Sequence, residues 1–163
     1  MKKVILGMVA LALLYMGGAY AQSPNGRGEA TLVLDGGGKV SIDYGRPKLK
    51  GRDLEGMIAV GDEWRMGADA GTTLNTDVAL KFGNKVVDKG KYVLRAKLVA
   101  KDQWHLIVQK LEGKSVVAEV PLTYHKADNA VEELTIKLEK QGNGGKFTLQ
   151  WGKLSISTDF QKA

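Results

Sequence analysis

Apolar and polar side chains alternate one by one along most of this chain, and the alternating runs are separated by glycine-rich or Asp/Asn turns. A period of two belongs to a strand with one wet face, and it cannot lay an apolar stripe along a helix. Leu32 and Leu34 precede Gly36-Gly37-Gly38, after which Val40, Ile42 and Tyr44 alternate with Ser41 and Asp43. Leu74 to Phe82 offers one or two short strands before Gly83-Asn84, and Asp88-Lys89-Gly90 marks the next turn. Tyr92, Leu94, Ala96 and Leu98 then share a face, as do Trp104, Leu106 and Val108 beyond the Lys101-Asp102 turn. Val116 to Val120 reads as a further strand, Asp128 to Ala130 as loop, and Val131 to Lys140 as a strand with Leu134, Ile136 and Leu138 on one face. Gly142-Asn143-Gly144-Gly145 turns the chain into Phe147, Leu149 and Trp151, with Leu154 and Ile156 after Gly152. Roughly nine or ten short antiparallel strands at this spacing predict an all-β sandwich or open barrel. Leu94, Leu98, Trp104, Leu106, Leu134, Ile136, Leu149 and Trp151 are its expected core.

One segment breaks the pattern. Residues 44–73 concentrate Gly, Arg and Asp with Trp64, at no period of two or 3.6. Long irregular segments inside compact domains are either functional or disordered. Leu54, Met57, Ile58, Val60, Trp64 and Met66 argue for order, so the segment is read as an ordered insert. Asp53 can cap a helical turn of one or two turns at most, since Gly56 weakens it. Function is sought in the insert first.

The N-terminus carries a basic Met1-Lys2-Lys3, an apolar run from Val4 to Met16, and Ala19-Tyr20-Ala21. That is the pattern of a secretory signal peptide over residues 1–21, cleaved before Gln22. The apolar run falls short of the roughly 20 residues that span a bilayer, and no Cys follows to take a lipid. Residues 22–163 fit a single domain with no transmembrane segment, placed in the periplasm or secreted. The absence of Cys excludes disulfides, thiolate metal sites and cysteine nucleophiles. The formal charge is +6, and losing Lys2 and Lys3 leaves 22 basic against 18 acidic side chains. The surplus lysines (Lys81, Lys97, Lys110, Lys137, Lys153) alternate with apolar residues, as on solvated strand faces, so no nucleic-acid groove is expected.

Candidate site residues come from the insert. Arg46, Lys50, Arg52 and Arg65 can converge on a carboxylate, phosphate or sulfate, because a guanidinium pairs with such anions through two parallel bonds. Trp64 offers a flat wall for a sugar or ring, and Asp69 stands beside this basic set. Arg46, Arg52 and Arg65 are expected on one side of the domain next to Trp64, with at least one held by Asp53 or Asp69. The same charges can instead neutralise Asp43, Asp53, Glu55, Asp62, Glu63 and Asp69 and simply hold the loop. Trp104 and Trp151 lie in strand phase and read as core. His105 and His125 have no metal-ligand spacing, and Ser115, Ser155 and Ser157 lack the glycine pattern of a nucleophile elbow. No catalytic residue, metal or cofactor is assigned.

Tyr44-Gly45-Arg46-Pro47, Lys50-Gly51-Arg52, Gly61 with Trp64-Arg65-Met66-Gly67-Ala68-Asp69, and Thr72-Thr73 resemble, in order and spacing, the bacterial family called domain of unknown function 2911. Lys85 to Tyr92, Trp104 to Val108 and Trp151-Gly152-Lys153 extend the resemblance over essentially the whole mature chain. Gly45 stands where that family has Ser, Ala59-Val60 where it has Pro-Tyr, Met66 where it has Thr and Asp69 where it has Asn. The resemblance implies an exported, mostly β domain and no particular chemistry.

Two readings of function follow. One is an exported, non-catalytic β-domain whose insert binds a small anionic or carbohydrate ligand, or an envelope protein. The other is a hydrolase of an envelope or extracellular polymer that uses Asp53, Glu55, Asp62, Glu63 or Asp69 as acid and base. Protein purified from the envelope fraction should give, by intact mass, a chain beginning at Gln22 or its pyroglutamate. Recovery of the Met1 form there would overturn the leader reading.

Overall fold

The computed structural model describes residues 25–163, and the leader read at residues 1–21 lies outside them. Ten strands follow in order: β1 (Arg27–Val33), β2 (Lys39–Gly45), β3 (Glu63–Trp64), β4 (Thr72–Thr76), β5 (Leu80–Phe82), β6 (Lys85–Val87), β7 (Gly90–Ala100), β8 (Gln103–Lys110), β9 (Val116–Gln141) and β10 (Gly144–Lys162). No helix occurs among the described residues. All the strands belong to one antiparallel sheet in the order β1-β2-β4-β7-β8-β9-β10-β5-β6, and β3 pairs with β7 off this path. The all-β expectation holds, and between its two forms the structure takes the open one: a single sheet, curled but not closed. β1 and β2 both contact β9, and the Tyr44 hydroxyl at the end of β2 donates to the carbonyl of Ile136 at 3.4 Å.

Two strands are not short. β9 runs for 26 residues and β10 for 19. Val116–Leu122 pair with β8, while Thr123 onward pairs with β10, so β9 is shared between two stretches of sheet. The loop expected at Asp128 to Ala130 is strand. Register explains the misreading. Gln150 faces Thr135, Gly152 faces Val131 and Leu154 faces Lys126, so Trp151 and Lys153 each oppose several β9 residues. Bulges of this kind scramble the period of two without ending the strand. Gly152, at φ 56, is the β10 residue between them.

The insert also contains more strand than its sequence suggests. Tyr44 and Gly45 end β2, Glu63 and Trp64 form β3, and Thr72 and Thr73 open β4. A two-residue strand is too short to show a period. From Gly45 the chain crosses to β9, where Leu49 N–H donates to Glu132 O (2.8 Å) and Leu134 N–H to Pro47 O (3.0 Å). It then returns along β7: Gly61 N–H donates to Leu98 O (2.7 Å) and Leu98 N–H to Asp62 O (3.2 Å). Asp53 accepts the N–H of Glu55 at 3.0 Å, yet only a turn follows, closed by Met57 N–H to Leu54 O. Gly56, at φ 81, stops the helical turn from propagating.

The inner face carries one core. Leu94, Trp104, Leu106, Leu134, Ile136, Leu149 and Trp151 are buried in it, and Leu98 packs on its margin, so the strand phases read from sequence are those observed. Gly45 is where the insert presses hardest: a Cβ there would sit 1.9 Å from the carbonyl oxygen of Ala68. Leu149→Ala should cost about 2–5 kcal/mol through the cavity it leaves. Gly45→Ala should cost about 3 kcal/mol by forcing that backbone contact apart. Urea denaturation measures both, and a near-neutral Gly45→Ala would refute the close approach.

Candidate functional site

Tryptophans from three distant parts of the chain meet at the end of the sheet that the insert crosses. Trp64 is brought by β3, whose partner on β7 is Ala96. Trp104 is the second residue of β8, opposite Leu98 and Leu122, and Trp151 comes from the bulged stretch of β10. Trp64 stacks on Trp151 at 6.0 Å between centroids and 14° between planes. It meets Trp104 edge-on at 6.4 Å and 65°. Such pairs add roughly 0.5–1.5 kcal/mol beyond the area they bury. These are all the tryptophans in the chain.

Arg52 completes the cluster, its guanidinium lying 5.6 Å from the centre of the Trp151 ring. Its Nε donates to Leu49 O at 3.0 Å and its Nη2 to Lys48 O at 2.8 Å. The planar guanidinium thus caps the turn behind it and faces an aromatic ring in front. β3 is held to β7 by Arg95, whose Nε lies 2.9 Å from the Glu63 carboxylate, out of hydrogen-bond alignment. The Trp151 indole N–H is buried with no acceptor among the described residues.

Above the tryptophans lies a cavity of about 800 Å³, within the range of about 300–1,000 Å³ usual for small-molecule sites. Its walls come from the insert (Leu49, Leu54, Met57, Ile58), the β7–β8 turn (Leu98, Lys101, Asp102) and the β9–β10 ribbon (Tyr124, Lys126, Gly152, Lys153, Leu154). The interior of the sheet, by contrast, holds a void of only about 10 Å³ with wholly apolar walls. Of these two spaces, only the one beneath the insert has room for a small molecule.

The residues expected to form a site separate. Arg52 and Trp64 line the cavity, and Arg46, Lys50, Arg65 and Asp69 do not. Arg46 turns to β9, donating to Leu134 O (3.2 Å) and Thr135 Oγ1 (3.3 Å) with Glu133 at 3.7 Å. Lys50 contributes its backbone N–H to the Glu132 carboxylate at 3.0 Å. Arg65 donates to the Asp69 backbone carbonyl at 2.8 Å. The Asp69 carboxylate accepts from the Asn25 amide at 3.3 and 3.4 Å. Asp69 therefore does hold an arginine of the insert, but through its main chain. The three arginines share no partner.

The cavity also gathers residues that the sequence reading left elsewhere. Trp104 and Trp151 are both core and floor. Lys153, by its alternation a lysine of a solvated strand face, is exposed and also lines the cavity. Lys101, Lys126 and Tyr124 carried no signal, since only the β9–β10 register brings Lys126 opposite Leu154. His105 Nδ1 lies 2.8 Å from the Glu119 carboxylate on the sheet surface, away from the cavity.

Residues 24–160 match the family described as "Protein of unknown function (DUF2911)". No curated protein and no solved structure matches the chain.

Trp64→Phe should remove the circular-dichroism couplet of two stacked indoles, and a couplet left intact would refute the stack. Trp64→Ala should cost about 2 kcal/mol in urea, less than for a fully buried tryptophan.

Proposed function

Since the chain belongs to the DUF2911 family, whose description assigns no activity, we propose a function from the cavity itself. The protein is an exported, non-catalytic β-domain that holds a small ligand between its insert and the β9–β10 ribbon. The observation that carries this reading is a cavity of about 800 Å³ floored by every tryptophan of the chain. A concave, mainly apolar site with a few polar groups on separate elements is what ligand binding asks of a fold. Export rests on the leader pattern of residues 1–21.

Hydrolysis is less well supported. Of the insert's acids only Asp53 and Glu55 line the cavity, on one turn where Asp53 already accepts the N–H of Glu55, so a facing carboxylate would have to be Asp102 of the β7–β8 turn. Glycoside hydrolysis asks for two carboxylates on opposite sides of the scissile bond, about 5–9.5 Å apart. Asp62, Glu63 and Asp69 are not among the lining residues.

A thermal-shift screen of residues 22–163 against sugars, organic acids, amphiphiles and divalent metals tests the reading. A ligand at a hundredfold its Kd adds about 2.7 kcal/mol, which is several degrees for a domain of this size. Trp64→Ala should fold and lose the shift. If no class of compound raises the melting temperature, or if the shift survives in Trp64→Ala, the cavity is not the site.

A further inference from the structure

The chemistry of the cavity narrows the class of ligand, an inference that rests on reading the cavity as a binding site. No Asn, Gln, Ser, Thr or His side chain lines it. The polar groups of these walls are instead charged side chains and Tyr124, and a neutral sugar could hydrogen-bond to them but would leave their charge without a counter-ion. Flat aromatic surface is scarce as well. Trp104 and Trp151 are only 7% and 6% exposed, and Trp64 already lies face to face with Trp151. The walls are instead aliphatic, and the mouth keeps Met57 and Val60 at 50% and 61% exposure. Large apolar side chains left in water beside an apolar cavity suit an apolar occupant.

The charge at the mouth supplies a second observation. Lys126 of β9 pairs with Leu154 of β10, and Lys153 precedes Leu154 in the irregular stretch of that strand. Both are exposed and both line the cavity. Among the described residues neither has an ion-pair partner. The remaining lysine of the lining, Lys101, sits next to the acid Asp102 on the β7–β8 turn, and the other two acids, Asp53 and Glu55, are on the insert. The ribbon side of the mouth is therefore basic, with an apolar chamber behind it.

We infer that the cavity takes an amphipathic anion, its apolar chain or ring lodged beneath the insert and its carboxylate, sulfate or phosphate held at Lys126 and Lys153. The insert arginines are excluded from this role because Arg46 and Arg65 do not line the cavity and Arg52 is spent on carbonyls and Trp151. An unpaired ammonium at the edge of a low-dielectric chamber attracts an anion more strongly than one on open surface.

The tryptophans supply the readout, since all of them line the cavity. Dodecanoate, dodecanol and dodecyltrimethylammonium, each below its micelle-forming concentration, are titrated against intrinsic fluorescence. Dodecanoate should bind about tenfold more tightly than either analogue. The Lys126→Gln/Lys153→Gln double variant, with its melting temperature unchanged, should keep dodecanol affinity and lose that preference. Equal binding of dodecanol and dodecanoate, or a preference that survives the double variant, would overturn the assignment of the headgroup. Fluorescence changes with a saccharide series and none with the amphiphiles would overturn the inference while leaving the cavity a binding site. No response to any probe, together with no thermal shift, would remove both readings.

Discussion

The rest of the structure hangs on β9. At about 3.3 Å per residue, its 26 residues would run roughly 85 Å if straight, far wider than a domain of this size. The strand bends instead, and it bends where Trp151 and Lys153 of β10 each face more than one of its residues. A bulge leaves backbone groups without their ladder partners, and buried ones must be met elsewhere. The insert meets them. Glu132 O accepts from Leu49, Leu134 N–H donates to Pro47, and Leu134 O accepts from Arg46. Bulge and insert are thus halves of one arrangement, and the cavity is the space left between them.

That arrangement explains where the arginines go. A segment without its own ladder has unmatched carbonyls, and a guanidinium with several donors in a fixed plane can cap more than one. Arg52 caps Leu49 and Lys48, Arg65 caps Asp69, and Arg27 reaches the carbonyl of Ala70 at 3.1 Å while pairing with Asp43. Few of the insert's bases pair with the insert's own acids. Glu63 pairs with Arg95 of β7, and Arg46 lies near Glu133 of β9. The charges fasten the insert to the sheet rather than neutralising one another within it.

Gly45, at the end of β2, packs on the turn at residues 66–69. Gly45 leaves room for the backbone of Ala68. Asp69 in that turn gives its carbonyl to Arg65 and its carboxylate to Asn25. Any side chain at position 45 would begin with the Cβ that this packing excludes, so the turn at residues 66–69 and the end of β2 are matched to each other.

The sequence alone determined the fold class, most strand positions and the faces that enter the core. Alternation is local, and a side chain two residues along the same strand returns to the same side whatever surrounds it. Trp104, Leu134, Leu149 and Trp151 were legible for that reason. It also marked 44–73 as the segment that departs from the sheet, because composition and missing period are local too. Tertiary structure decided the rest. Trp64 looked unattached because its strand is two residues long, and its partners lie 40 and 87 positions further along the chain, at Trp104 and Trp151. The bulges hid inside a polar run that reads as loop, and Lys126 and Lys153 came to line one cavity only through the register those bulges set. Which charges face a cavity depends on that register, and register depends on contacts far apart in sequence, where no periodicity within a single strand can report it.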